Sequence, residues 1–195
     1  MQTHKIALFA SGSGSNVQKI AEYFRDNPQI EIVCILSNNP QAGVLQRAAD
    51  LGILSYVFNR QTFFETREIL DLLLEKQVNL VVLAGFLWKI PDYLIHAFPH
   101  KIINIHPALL PKYGGKGMYG IHVHQAVFQA GDRESGITIH YVNDHYDEGE
   151  IIFQAHCELS PEDDPEKIAQ KVQALEHKYF PKVIEELLNK SSKIA

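Results

Sequence analysis

Lys5-Ile6-Ala7-Leu8-Phe9-Ala10-Ser11-Gly12-Ser13-Gly14-Ser15-Asn16 passes from a continuous apolar run into glycine and serine, and a helical stretch from about Val17 to Arg25 follows. An apolar run without alternation is what a strand covered on both faces requires. Strand, Gly-rich loop and helix together open a βαβ unit, and the same alternation continues outward from it. Ile30 to Ser37 reads as a second strand, halted by Asn38-Asn39-Pro40. A helix near Val44 to Leu51 leads through Gly52 to a short strand at Ser55 to Phe58. Phe63, Leu70, Leu73 and Leu74, spaced i, i+7, i+10, i+11, predict one face of a helix. Leu80 to Ala84 and Ile102 to Ile105 are again unbroken apolar runs, and Pro107 ends the second. Such alternation implies right-handed crossovers and a doubly wound, mostly parallel α/β sheet, Rossmann-like in its N-terminal half.

After Gly131 the texture changes. Gly136 to Val142 and Gly149 to Leu159 read as strands joined by a tight loop at 143–148, an antiparallel C-terminal addition. Ile168, Val172, Leu175 and Tyr179 then mark a long amphipathic helix beginning after Asp164-Pro165. No internal repeat or linker-like tract interrupts the chain, so a single domain over 1–195 is expected, with a frayed tail at 190–195.

Composition bounds the function classes. The 195 residues carry 18 Lys+Arg against 23 Asp+Glu, a net charge of −5, with 46% apolar and 21% charged residues. These values exclude low-complexity, collagenous and coiled-coil chains. The acidic balance also argues against a dedicated nucleic-acid binder, which concentrates basic residues on one face. Cys34 and Cys157 lie far apart in apolar runs and read as buried thiols of a reducing compartment. Strand-like sequence begins almost at once, so no signal peptide is expected, and no apolar run approaches the ~20 residues of a membrane span. A cytoplasmic protein is expected.

Three segments have the makings of chemistry. Ser11 to Asn16 joins a strand to a helix start, where backbone N–H groups and the helix dipole favour an anion; a plain capped Gly/Ser turn is the alternative. It is not a dinucleotide fingerprint, because Val17 fills the third glycine position. Nor is Gly115-Lys116-Gly117 a Walker motif, since Leu110 stands where the leading glycine belongs. Asn104-Ile105-His106-Pro107 ends a predicted parallel strand, and residues two apart on a strand share a face. An amide donor beside an imidazole can stabilise an oxyanion and exchange a proton, although a hydrogen-bonded strand end is an equally ordinary role. The loop Asn143-Asp144-His145-Tyr146-Asp147-Glu148-Gly149 offers a carboxylate that would raise the His106 pKa, but its spacing does not choose among Asp144, Asp147 and Glu148. His122-Val123-His124 has a metal-pair look but no Cys near it, and no metal is expected. Phe86 and Trp88 suit a flat-ring pocket or plain packing. The Gly-rich stretch 111–120 could move as a lid. Glu176, four residues after Val172, reads by default as a solvated glutamate.

Taken together, Ser11 to Asn16, Gly85-Phe86-Leu87-Trp88-Lys89-Ile90, Asn104-Ile105-His106-Pro107-Ala108-Leu109-Leu110-Pro111-Lys112-Tyr113, Tyr146-Asp147-Glu148-Gly149 and Leu175-Glu176-His177-Lys178-Tyr179-Phe180-Pro181 resemble the phosphoribosylglycinamide formyltransferase family, in order, over roughly residues 5–188. The resemblance implies transfer of a formyl group from 10-formyltetrahydrofolate to the glycinamide amine, the third step of de novo purine synthesis. It implies a phosphate-binding half at about 1–100 and a catalytic and folate-binding half at about 101–190. Asn104, His106 and Asp147 match the family's catalytic trio. Gly14, Ser15, Asn16 and Glu176 would hold phosphoribosylglycinamide. Arg67, Leu87, Trp88, Lys89, Ile90, Asn104 and Asp144 would surround the folate. Small-molecule substrates are then the partners, with no nucleic acid, membrane or metal, and the chain would be a monomer or weak homodimer. The stretch 114–120 is several residues longer than the family's usual one, and Glu148 replaces a usual glycine. A related tRNA formyltransferase carries a C-terminal domain and a formyltetrahydrofolate hydrolase an N-terminal one, so a chain running from the first strand to Ala195 is expected to be neither. A free-standing chain of this size also suggests a bacterial source. A non-catalytic phosphate sensor would use the glycine loop alone.

Overall fold

β1 (His4–Phe9) pairs in parallel with β2 and β4 along its two edges, and its last four residues are buried whichever face they point to, which explains its unbroken apolar sequence. The structure, a computed structural model, describes residues 3–191. After β1 come α1 (Ser15–Phe24), β2 (Ile30–Ser37), α2 (Gly43–Leu51), β3 (Ser55–Val57), α3 (Arg60–Phe64), α4 (Glu68–Glu75), β4 (Leu80–Leu83), α5 (Asp92–Ala97) and β5 (Ile102–His106). The chain continues with α6 (Ile121–Ala130), β6 (Glu134–Tyr141), β7 (Ile151–Glu158) and α7 (Pro165–Ser191). The sheet order is β3-β2-β1-β4-β5-β6-β7. β2–β1, β1–β4 and β2–β3 pair in parallel, and β6–β7 is antiparallel. The expected mixed α/β architecture is therefore present.

Packing divides the chain into two units, residues 1–103 and 104–195, the division falling inside β5. In the first unit Ile6, Leu8, Phe9, Ile20, Ile35, Leu36, Phe63, Leu73 and Leu94 have essentially no exposure. Each such side chain contributes about 1.5–3 kcal/mol of burial. The direction of strand succession reverses between β1 and β4, so the loops after these two strands leave from the same carboxyl edge. In the second unit α7 packs on α6, β6 and β7, enclosing Ile137, Ile139, Val123, Ile168, Val172, Phe180 and Ile184.

The differences from expectation are local. The helix expected from Phe63 to Leu74 is two helices, because the Thr66 hydroxyl donates to the Thr62 carbonyl (2.8 Å) and accepts the Glu68 N–H (3.3 Å), closing α3 and starting α4. Leu74 is 55% exposed, so the apolar face comprises Phe63, Leu70 and Leu73 only. α1 begins at Ser15, ahead of the expected Val17. Helices α5 and α6 were not anticipated; α6 buries only Val123, His124 and Val127, too narrow a stripe to announce itself. Cys34 is buried, whereas Cys157 is only half-buried because β7 is the sheet edge; both thiols are free. Of the tail expected to fray, 190–191 close α7 and 192–195 lie outside the described residues. No described helix is long and apolar enough to cross a membrane.

Candidate active site

In the first unit, the loop after β1 is braced on several sides. Ser11 N–H donates to the Gly85 carbonyl (2.9 Å), and the Ser11 hydroxyl accepts the Leu87 N–H (3.0 Å). Val44 N–H bonds the Gly12 carbonyl (3.0 Å), and Arg47 Nε–H donates to the Ser13 carbonyl (2.8 Å). Gly14 takes φ 75°, and a Cβ there would lie 2.5 Å from Val44 Cγ2 and 2.9 Å from Val44 Cα. Only glycine fits both the backbone angle and the space. The loop thus delivers the positive end of α1 at Gly14, Ser15 and buried Asn16.

Beside it, the loop after β4 carries Leu87, half exposed, then Trp88 and Lys89, half-buried, and Ile90, buried. Trp88 packs edge-on to Phe58 (6.0 Å, 73°) and obliquely on Phe63 and Phe64 (5.8 Å each). Arg67 is exposed at the start of α4.

In the second unit, β5 places Asn104 and His106 on one face by its two-residue period. His106 is 4% exposed. Its Nδ1 lies 3.6 Å from Asp147 Oδ2, and its Nε2 lies 2.7 Å from the Tyr113 carbonyl. A carbonyl only accepts, so Nε2 carries the proton. His140, on β6, joins the group: Asn104 Nδ2 is 3.1 Å from His140 Nε2, and His140 Nε2 is 3.7 Å from Asp147 Oδ1. His140 Nδ1 is 2.9 Å from the Tyr141 carbonyl, so it carries the proton there and leaves Nε2 to accept from the Asn104 amide. The structure therefore brings Asn104, His106 and Asp147 together and adds His140, which sequence reasoning missed. The available signal was its position in β6, with Thr138 and His140 two apart on one face.

Of the three candidate carboxylates Asp144, Asp147 and Glu148, only Asp147 reaches this cluster; Asp144 and Glu148 are exposed. Asp147 also accepts the Gly115 N–H through Oδ2 (2.9 Å). The loop can return because Gly149 lies against β6: a Cβ on it would sit 1.7 Å from the Tyr141 carbonyl oxygen. Thr138 secures the end of β5 from below, donating to the Ala108 carbonyl (2.7 Å) and accepting the Leu110 N–H (2.9 Å). Glu176 is half-buried on α7, not the fully solvated side chain of the default reading. His122 and His124 stand two apart on α6, where side chains diverge. Among the described residues no cluster of three or more His, Cys, Asp or Glu could hold a metal.

The electrostatics correct one expectation. Burial pushes the His106 pKa down, and this outweighs the upward pull of Asp147 and of the Tyr113 carbonyl; His140 adds to the lowering. The resting imidazole is neutral rather than favoured as imidazolium. Burial alone would raise the Asp147 carboxyl, but His140, His106 and the Gly115 N–H together hold it below the usual carboxylate range. An ionised carboxylate thus faces the unprotonated Nδ1 of a neutral imidazole.

The stretch after β5 lies over these groups. Tyr113 has φ 56°, presents its carbonyl to His106, and donates its hydroxyl to Asp132 Oδ2 (2.8 Å), which Lys112 Nζ also approaches (3.2 Å).

Residues 4–184 match the family model described as Formyl transferase. The chain is 42% identical over 186 residues to a chloroplastic phosphoribosylglycinamide formyltransferase of Arabidopsis thaliana, covering 92% of this chain but 64% of that protein, under two thirds of its length. It is 38% identical over 190 residues to the phosphoribosylglycinamide formyltransferase of Bacillus subtilis, covering 94% of each. The crystal structure of phosphoribosylglycinamide formyltransferase from Anaplasma phagocytophilum superimposes with a TM-score of 0.88 at 34% identity, over 97% of this chain and 89% of that one.

Proposed function

This chain belongs to the formyl transferase family, and from that premise we propose that it moves the formyl group of 10-formyltetrahydrofolate to the amine of phosphoribosylglycinamide. The observation that carries the reading is the convergence of Asn104, His106 and Asp147 at the end of β5 in such a chain. On this reading the amine nitrogen attacks the formyl carbon and the carbonyl electrons move to oxygen. The bond from carbon to N10 then breaks as N10 takes a proton and the attacking nitrogen gives one up. The Asn104 amide has one hydrogen committed to His140 and a second available for the oxyanion. His106 already carries a proton on Nε2 and, once the Tyr113 carbonyl withdraws, can offer that N–H as a hydrogen bond to the oxyanion while keeping the proton. A well-placed donor of this kind is worth ~3–4 kcal/mol of barrier. Asp147 faces Nδ1, where it would stabilise an imidazolium formed during proton transfer and order a shuttling water.

The braced 11–16 loop is the proposed phosphate cradle, with Glu176 as a further contact. The 87–90 loop, Arg67 and Asp144 are the proposed folate border. A single formyltransferase domain, with a phosphate-binding half at about 1–100 and a catalytic and folate-binding half at about 101–190, accompanies the reading. A cytoplasmic monomer or weak homodimer acting on these two small molecules accompanies the reading.

The test is to mix protein, amine substrate and formyl-folate and follow both. Joint consumption with a 1:1 stoichiometry is expected. Folate turnover at the same rate without the amine would instead indicate a hydrolase.

A further inference from the structure

Past the end of β5 the chain runs along β6, tied to it through Thr138, and a cavity of about 780 Å³ opens beside it within the second unit. That volume lies inside the roughly 300–1,000 Å³ of small-molecule sites. Leu109, Val127 and Leu159 supply its apolar wall. At the rim stand Glu134 and Glu158, both exposed. They are register partners across β6 and β7, so their side chains share one face with Cβ atoms about 4.5–5.5 Å apart. Like charges so placed repel. Among the described residues no lysine or arginine side chain comes within 4.0 Å of either carboxylate, and Glu134 has only the His156 ring (3.3 Å). The two cations of the lining do not relieve the pair: Lys112 is committed to Asp132 (3.2 Å), and Arg133 forms an ion pair with neither. At the inner end Ser135 is 2% exposed, and its hydroxyl is buried with no hydrogen-bond partner among the described residues. A buried hydroxyl in that state costs free energy that an incoming polar group recovers.

We propose that this cavity binds a small organic amine, with its ammonium between Glu134 and Glu158, its apolar body along Leu109, Val127 and Leu159, and a hydroxyl at its far end on Ser135. An ammonium carries three N–H donors and no acceptor, which suits two facing carboxylates. Asn104, His106 and Asp147 are not in the lining, so the site is separate from the transfer chemistry. Tyr113 links the two places: it lines the cavity while its carbonyl sits on His106. An occupant therefore restrains the stretch that covers that imidazole.

Tyramine is the probe, compared by calorimetry with phenethylamine, which lacks the hydroxyl, and with 3-(4-hydroxyphenyl)propionate, in which a carboxylate replaces the ammonium. Tyramine should bind once per chain and about 10-fold more tightly than the acid, the equivalent of about 1.4 kcal/mol. Glu134→Gln combined with Glu158→Gln should erase that preference; both side chains are exposed, so the fold tolerates the change. Ser135→Ala should bring tyramine down to the affinity of phenethylamine. Amide exchange with tyramine bound should slow at 109–113 and 132–135 and stay unchanged across 1–103. The proposal is overturned if tyramine does not bind, if amine and acid bind equally, or if the preference survives the double substitution. It is overturned equally if Ser135→Ala leaves the advantage over phenethylamine intact, or if the slowed amides lie elsewhere in the chain.

Discussion

His106 is placed so that its two ring nitrogens have different work: Nδ1 looks at Asp147 Oδ2 at 3.6 Å, and Nε2 holds the proton. Replacing it by alanine removes that donor, and Asp147→Asn removes the charge that would stabilise the imidazolium. Each should lower kcat by at least ~10²-fold while leaving affinity for the phosphate substrate nearly unchanged. Steady-state kinetics together with direct titration of that substrate separates the two quantities; near-full turnover in either variant would refute the assigned role. His140 acts at one remove, by accepting from the Asn104 amide and facing Asp147. His140→Ala is expected to lower kcat by ~10-fold and to leave KM for the amine substrate alone. A matching rise in KM would point to loss of shape rather than of positioning.

At the scale of elements, the loop after β1 and the stretch after β5 are held by opposite means. The first depends on a glycine. Gly14→Ala forces a Cβ against Val44 at a left-handed φ, which costs on the order of 1–3 kcal/mol of strain or displaces the loop. Affinity for the phosphate substrate should fall by ~10-fold or more, and thermal unfolding should shift downward. The second depends on side chains that tie Tyr113 to Asp132. Asp132→Asn keeps the size but removes the charge facing Lys112 and weakens the acceptor for the Tyr113 hydroxyl. Faster amide exchange confined to about 112–118 is expected, whereas unchanged protection there would show that the bond from His106 to the Tyr113 carbonyl suffices.

For the whole molecule, pH sets stability through buried histidines. Burial, with a smaller contribution from the charge on His106, pushes the His124 pKa down to about 4, and its Nδ1 is buried without a hydrogen-bond partner. His106 is lowered in the same sense. Their folded pKa values lie below the ordinary 6.5, so between 6.5 and the folded value the unfolded chain binds more protons. Stability is complete above that window and is lost as pH falls through it, by about 3 kcal/mol from His124 alone. Unfolding free energy measured from pH 7 to pH 4 should therefore decline. His124→Leu should flatten the decline; an unaltered slope in that variant would exclude His124 as its source. Asp147, whose pKa is lowered, adds a separate loss only below its ordinary 3.8.

The amino-acid sequence by itself determined what depends on near neighbours along the chain. Unbroken apolar runs bounded by Gly, Pro and Asn marked the parallel strands because burial on both faces admits nothing else. Asn104 and His106 could be paired because a strand turns alternate residues to one side. The glycine loop announced itself because its chemistry lies within six residues. Tertiary structure alone decided what depends on contacts between distant elements. Spacing left Asp144, Asp147 and Glu148 open and only the family resemblance pointed to Asp147; the return of the chain through Gly149 supplies the physical reason, because it brings that carboxylate to β5. Tertiary structure introduced His140 through strand pairing, and it put the Tyr113 carbonyl on His106. It also reversed the expected sign at His106, because the Asp147 charge could be anticipated but the burial that outweighs it is a property of the folded core.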